Sequence, residues 1–102
     1  MKLGIISNTE LCIPLLHDLK RNNIDFIFYL GLFPPGNSNI PSLISFCNSN
    51  NIPFEEEHNK EELYSWLNKH TPDYAFIFGY QYLIDIEKSG VFKNKLFNIH
   101  PG

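Results

Sequence analysis

A chain of 102 residues has room for one domain, and 43% hydrophobic with 19% charged residues is the composition of a globular chain, not a disordered one. The formal charge of −3, spread without any basic stripe, excludes an electrostatic footprint for nucleic acid on this segment.

In chain order, Leu3 to Ser7 is a short apolar run that predicts a first strand. Leu11, Leu15, Leu16 and Leu19 recur at helical spacing. Pro14 belongs in the first turn of that helix, where its missing N–H costs no hydrogen bond, and Asn22-Asn23 closes the element. Phe26 to Leu30 reads as a second buried strand. Phe33 to Asn39, with Pro34-Pro35-Gly36, is a loop. Ile40 to Asn50 predicts a second helix with Leu43, Ile44 and Cys47 on one side. The Asn-rich stretch Asn48 to Asn51 marks its end.

Ile52-Pro53-Phe54-Glu55 predicts a short third strand at the sheet edge, because proline cannot donate to a ladder. Asn59 is expected to cap a third helix, with Glu61 and Glu62 at its positive end, Lys69 and His70 at its negative end, and Leu63, Trp66 and Leu67 as its apolar stripe. Glu55-Glu56-Glu57 reads as a solvated run, and Asp73, Asp85 and Glu87 as ordinary surface carboxylates. Tyr74 to Phe78 is apolar at every position, as expected of a central parallel strand covered on both faces, and Gly79 ends it. Leu83, Ile84, Ile86 and Val91-Phe92 suggest a short crossover broken at Gly90, and Leu96 to His100 is the last strand. The expected fold is α/β: a parallel sheet of about five strands with helices on both faces.

Cys12 and Cys47 lie inside apolar helical patterns with no C-x-x-C, so they are expected to be buried reduced thiols of a cytoplasmic protein. His17, His58 and His70 have no metal-ligand spacing. The N-terminal apolar run is too short for a signal peptide, and no stretch approaches a membrane span.

A sheet of this kind binds ligands at the carboxyl ends of its strands. The first strand-helix turn, Ser7-Asn8-Thr9-Glu10, has no G-x-G-x-x-G and no P-loop lysine, and a Glu there repels a pyrophosphate, which argues against a nucleotide. The chemistry is better sought in Phe97-Asn98-Ile99-His100. Side chains alternate along a strand, so Asn98 and His100 face the same way, with Cα atoms about 6.6 Å apart. Pro101 biases His100 towards an extended backbone. Two polar groups in an otherwise apolar strand break the pattern as functional sites do.

The whole chain resembles the N-terminal domain of the formyltransferases that use 10-formyltetrahydrofolate, of the methionyl-tRNA formyltransferase and sugar N-formyltransferase type. Asn98-Ile99-His100-Pro101 is similar to the Asn-x-His-Pro part of their active-site signature. The stretch from Pro72 through Gly79 to Ile84 resembles the strand and loop lining their folate pocket. Ser7 to Leu16 resembles their first strand-helix junction, and Asn51-Ile52-Pro53 their approach to the third strand.

The resemblance implies a Rossmann-like, folate-binding domain over residues 1–102, with the C-terminal part of the catalytic domain missing and little activity in this chain alone. It implies Asn98 and His100 as catalytic hydrogen-bond donors. Gly79, Tyr80, Gln81, Tyr82, Leu83 and Ile84 would line the folate site, with 10-formyltetrahydrofolate as co-substrate and no metal. The family's catalytic Asp lies downstream of the N-x-H-P motif, and no carboxylate here matches it. The implied acceptor is an amine, of a nucleotide-linked amino sugar or of methionyl-tRNA. The short stretch after the second strand and the aromatic-rich Phe78 to Ile84 favour the sugar. Two other classes stand beside this reading: a non-catalytic interaction module that self-associates through an uncovered sheet, and a flavodoxin-like or nucleotide-binding domain.

Overall fold

The structure, a computed structural model, describes residues 1–31, 38–59, 61–79 and 95–99. Over these residues the chain forms β1 (Leu3–Ser7), a 3-10 turn (Glu10–Cys12), α1 (Ile13–Arg21), β2 (Phe26–Leu30), α2 (Asn39–Ser49), β3 (Phe54–Glu56), α3 (Glu62–His70), β4 (Tyr74–Phe78) and β5 (Leu96–Ile99). The five strands are all parallel, in the order β3-β2-β1-β4-β5. This is a Rossmann-like α/β fold.

The chain first runs outward from β1 through β2 to β3, then returns to place β4 on the other side of β1. With crossovers of one hand, the helices of the outward run fall on one face and the helix of the return on the other. The packing follows that rule. Ile5, Phe28 and Leu30 bury against Leu16, Leu19, Leu43 and Cys47 of α1 and α2. Ile6, Tyr29, Ala75 and Ile77 bury against Leu63, Trp66 and Leu67 of α3.

The helix ends have local causes. Pro14 sits in the first turn of α1, and Lys20 and Arg21 in its last, beside the exposed carbonyls. The Asn22 side chain donates to the Asp18 carbonyl at 2.7 Å, and Asn23 then takes the left-handed conformation at φ 57°. The end of α2 repeats the device: Asn50 donates to the Phe46 carbonyl at 2.9 Å and Asn51 has φ 55°. Thr71 closes α3 at φ 44°, an unusual place for a β-branched residue.

Four expectations are corrected. Leu11, expected on the apolar stripe of the first helix, is 61% exposed, because a 3-10 turn ahead of α1 shifts the phase of that stripe, while Cys12 is buried as expected. Regular α3 begins at Glu62. Asn59 caps the turn leading into it, its side-chain oxygen accepting from the Glu61 N–H at 3.0 Å. β4 is central, between β1 and β5, and its α3 face is buried at Ala75 and Ile77. On the other face Phe76 and Phe78 are half-buried against the α1 and α2 cluster, and Tyr74 is 40% exposed. Finally, Glu57 is not solvated: it is 3% exposed. Its N–H continues the ladder by donating to the Leu30 carbonyl at 2.9 Å, and its carboxylate accepts from the Tyr29 hydroxyl at 2.9 Å.

Candidate functional site

The strand order reverses at β1, so the carboxyl ends of β1 and β4 flank the topological switch point where sheets of this class leave a crevice. The β1 side of that crevice is Ser7-Asn8-Thr9-Glu10. Ser7 and Asn8 are buried, at 0% and 2% exposure. The backbone N–H groups that follow are taken up by side chains. Ser7 Oγ accepts from the Thr9 N–H at 3.1 Å, Asn39 Oδ1 from the Glu10 N–H at 2.8 Å, and Thr9 Oγ1 from the Leu11 N–H at 3.3 Å. The Cys12 N–H donates to the Thr9 carbonyl at 3.2 Å. A phosphate cradle needs such donors free and converging on the ligand. This junction instead uses four in succession, three to close on itself and one to bond Asn39, the first residue of α2.

The two thiols nearby are poor nucleophiles. Burial raises the pKa of the Cys12 thiol, partly offset by its hydrogen bond with Ser7. Burial, with the neighbouring Cys12, pushes Cys47 up to about 11. Both are free and buried, and stay protonated at neutral pH. Among the described residues no group of three His, Cys, Asp or Glu side chains could hold a metal ion, and no helix is long and apolar enough to cross a membrane.

On the other side, Gly79 ends β4 at φ +65°, in the left-handed region that favours glycine. A Cβ at this position would lie 3.1 Å from Asn8 Oδ1 and 3.2 Å from Thr9 Cγ2. The family resemblance implies Gly79 as part of the lining of a folate site. The approach seen here is by the protein's own β1 junction.

Asn98 lies on β5, whose register pairs Ala75 with Leu96 and Ile77 with Asn98. Leu96 packs against the α3-side core, so alternation puts Asn98 on that same face of the sheet. Its neighbours Phe97 and Ile99 point the other way. Phe97 stacks on Phe76 at a ring-centroid distance of 5.6 Å and meets Tyr74 at 5.9 Å. Asn98 is exposed. An exposed amide at the open edge of the sheet, one strand from the switch point, is available to a bound group. His100 and the run Tyr80, Gln81, Tyr82, Leu83 and Ile84 lie outside the described residues, as does the expected crossover with Gly90 and Val91-Phe92.

The residue that sequence reasoning missed is Glu57. The signal available was Tyr29, a phenol in the buried strand Phe26–Leu30 that had to find an acceptor. Burial above all, then the hydrogen bond and charge of Glu57, raise the pKa of Tyr29 far above its ordinary value.

Compared with models of known protein families, with curated proteins and with solved structures, the chain has no match.

Proposed function

We propose that this chain is the folate-binding part of an enzyme that moves a formyl group from 10-formyltetrahydrofolate to an amine, that of a nucleotide-linked amino sugar. The observation that carries the reading is the exposed Asn98 amide on β5, beside the ligand-binding end of β4, in a strand whose sequence continues to His100-Pro101.

The chemistry asks for what these residue types offer. The acceptor nitrogen attacks the formyl carbon, and the carbonyl oxygen gathers negative charge as a tetrahedral intermediate forms. The Asn98 amide N–H and a protonated His100 imidazole donate to that oxygen; one such donor, held in place beforehand, contributes about 2.7–4 kcal/mol. The intermediate collapses with cleavage of the bond to the folate nitrogen. That nitrogen gains a proton, and the former amine loses one to a base. Glu57 is not that base. It follows β3 at one edge of the sheet while Asn98 lies on β5 at the other, four strand spacings or about 19 Å away. In this reading Gly79 and the residues Tyr80 to Ile84 hold the pterin, through backbone groups and apolar walls.

The discriminating experiment is equilibrium binding of 5-formyltetrahydrofolate against NAD and ATP, followed by formyl-transfer assays with a nucleotide-linked amino sugar and with methionyl-tRNA. Folate should bind and the nucleotides should not. In the whole enzyme of this reading, where the base is present, Asn98→Ala should lower kcat by about 10²–10³-fold with folate affinity little changed, while the chain by itself should transfer little. Nucleotide binding without folate binding would sink the proposal. A second reading draws on the apolar strip of Tyr74, Phe97 and Ile99, which are 40%, 44% and 36% exposed: an interaction module without catalysis. Concentration-dependent sedimentation together with absence of folate binding would favour it.

A further inference from the structure

We propose that Asn8 and Thr9 are positioning residues for the crevice: they close on Gly79 and so fix the backbone at which β4 ends. This rests on the folate reading above, and it assigns to the β1 junction a part in ligand binding that involves no contact with ligand.

Three observations carry it. Asn8 is polar yet 2% exposed, so in this structure no ligand reaches it, and any influence it has on a ligand must pass through a neighbour. That neighbour is Gly79, where even a methyl group would meet Asn8 Oδ1 at 3.1 Å and Thr9 Cγ2 at 3.2 Å. Thr9, finally, is not free to turn away. Its hydroxyl accepts from the Leu11 N–H at 3.3 Å and donates to Asn39 Oδ1 at 3.4 Å, and its own N–H is held by Ser7 Oγ at 3.1 Å. With the hydroxyl committed on one side, the methyl group is fixed on the side of Gly79. The backbone at Gly79 is therefore set by atoms held in place in the junction after β1, as a binding site built on a supported scaffold requires.

The hydroxyl and the methyl of Thr9 can be separated. Thr9→Ser keeps the hydrogen bonds and removes the atom that a residue-79 side chain would strike. The test is a double-mutant cycle on the full chain, with Gly79→Ala, Thr9→Ser and the pair, reading the Kd for 5-formyltetrahydrofolate by calorimetry and the thermal midpoint of each variant. Gly79→Ala should weaken binding at least tenfold in the parent. In the Thr9→Ser background the same change should weaken it at least threefold less, with the residual loss due to the strained φ and to Asn8 Oδ1, which would still lie 3.1 Å from the added methyl group. Equal losses in the two backgrounds overturn the positioning role. Failure of the parent to bind folate overturns the proposed function instead. The cycle in thermal midpoints then decides the contact alone: non-additive midpoints uphold it and additive midpoints reject it.

Discussion

The two faces of the sheet are built differently. On the α1 and α2 face the buried cluster is Ile5, Leu16, Leu19, Phe28, Leu30, Leu43 and Ile52 with two protonated thiols, and Phe26, Phe46, Phe54, Phe76 and Phe78 pack half-buried against it, a layer of aliphatic and phenylalanine side chains. On the α3 face the cluster centres on Trp66, whose ring lies 5.1 Å from that of Tyr29 and 5.7 Å from that of His70. It also lies over Gly4, where a Cβ would approach Trp66 Cη2 to 3.3 Å. This face carries the buried Tyr29–Glu57 hydrogen bond, the Glu55–His70 contact and the amide of Asn98. Such a layer is non-directional and tolerates repacking. A layer that fits one indole to a glycine and one phenol to one carboxylate specifies its geometry. Polar chemistry and tight fit fall on the same face, and that is the face on which the candidate site lies.

The largest effect that would sharpen this contrast is at Trp66. Trp66→Ala should destabilise by about 3–5 kcal/mol, since it empties the space that the buried indole fills over Gly4 and beside Tyr29. Leu16→Met, on the α1 and α2 face, should cost less than about 1.5 kcal/mol. Denaturant unfolding measures both. Comparable costs for the two variants would break the contrast.

Next in size is the Tyr29–Glu57 pair. Glu57→Ala leaves a phenol buried at 1% exposure without its carboxylate and should cost about 1–3 kcal/mol. Glu57→Gln retains an acceptor and should cost less. The pH dependence has a definite sign. Because the folded pKa of Tyr29 is raised, by burial first and by Glu57 next, its stabilisation is complete below the unfolded tyrosine value near about 10. Above that pH the unfolded chain ionises and the folded one does not, so stability falls. In an alkaline absorbance titration, one of the five tyrosines should ionise only as the chain unfolds. Five tyrosines titrating together in the folded protein would contradict the buried bond.

The same contrast explains what could be read from the sequence. β1, β2 and β4 were legible to the residue because a strand buried in a parallel sheet is a continuous apolar run bounded by polar ones. Pro53 gave the edge position of β3, since a missing N–H has one safe place. The Asn pairs gave the ends of α1 and α2. Alternation gave the face of Asn98. What stayed hidden depends on a second strand or a change of helical phase. Nothing in Glu55-Glu56-Glu57 says that the third carboxylate turns back under α3, until Tyr29 is placed opposite it. Nothing in Gly79 says that its close neighbour is Thr9, seventy residues earlier in the chain. Leu11 left the apolar stripe because a 3-10 turn cannot be told from an α-helical one over three residues.

The smallest expected effect lies at the rim of the α3 face. Glu55 Oε1 is 3.0 Å from His70 Nε2 and 3.1 Å from Lys69 Nζ, and these partners, the His70 hydrogen bond first, lower its pKa. A lowered folded pKa contributes stability above the unfolded carboxyl value, lost as pH falls through the folded one. With the Glu55 side chain 42% exposed and that of Lys69 68% exposed, water and salt screen the pair, and its worth should stay below about 1 kcal/mol. Unfolding midpoints of the parent and Glu55→Gln should therefore differ slightly near neutral pH and converge as the carboxylate protonates in acid. A large gap that persists in acid would mean that Glu55 supports α3 by packing, and the rim would then belong with the tightly fitted interior beneath it.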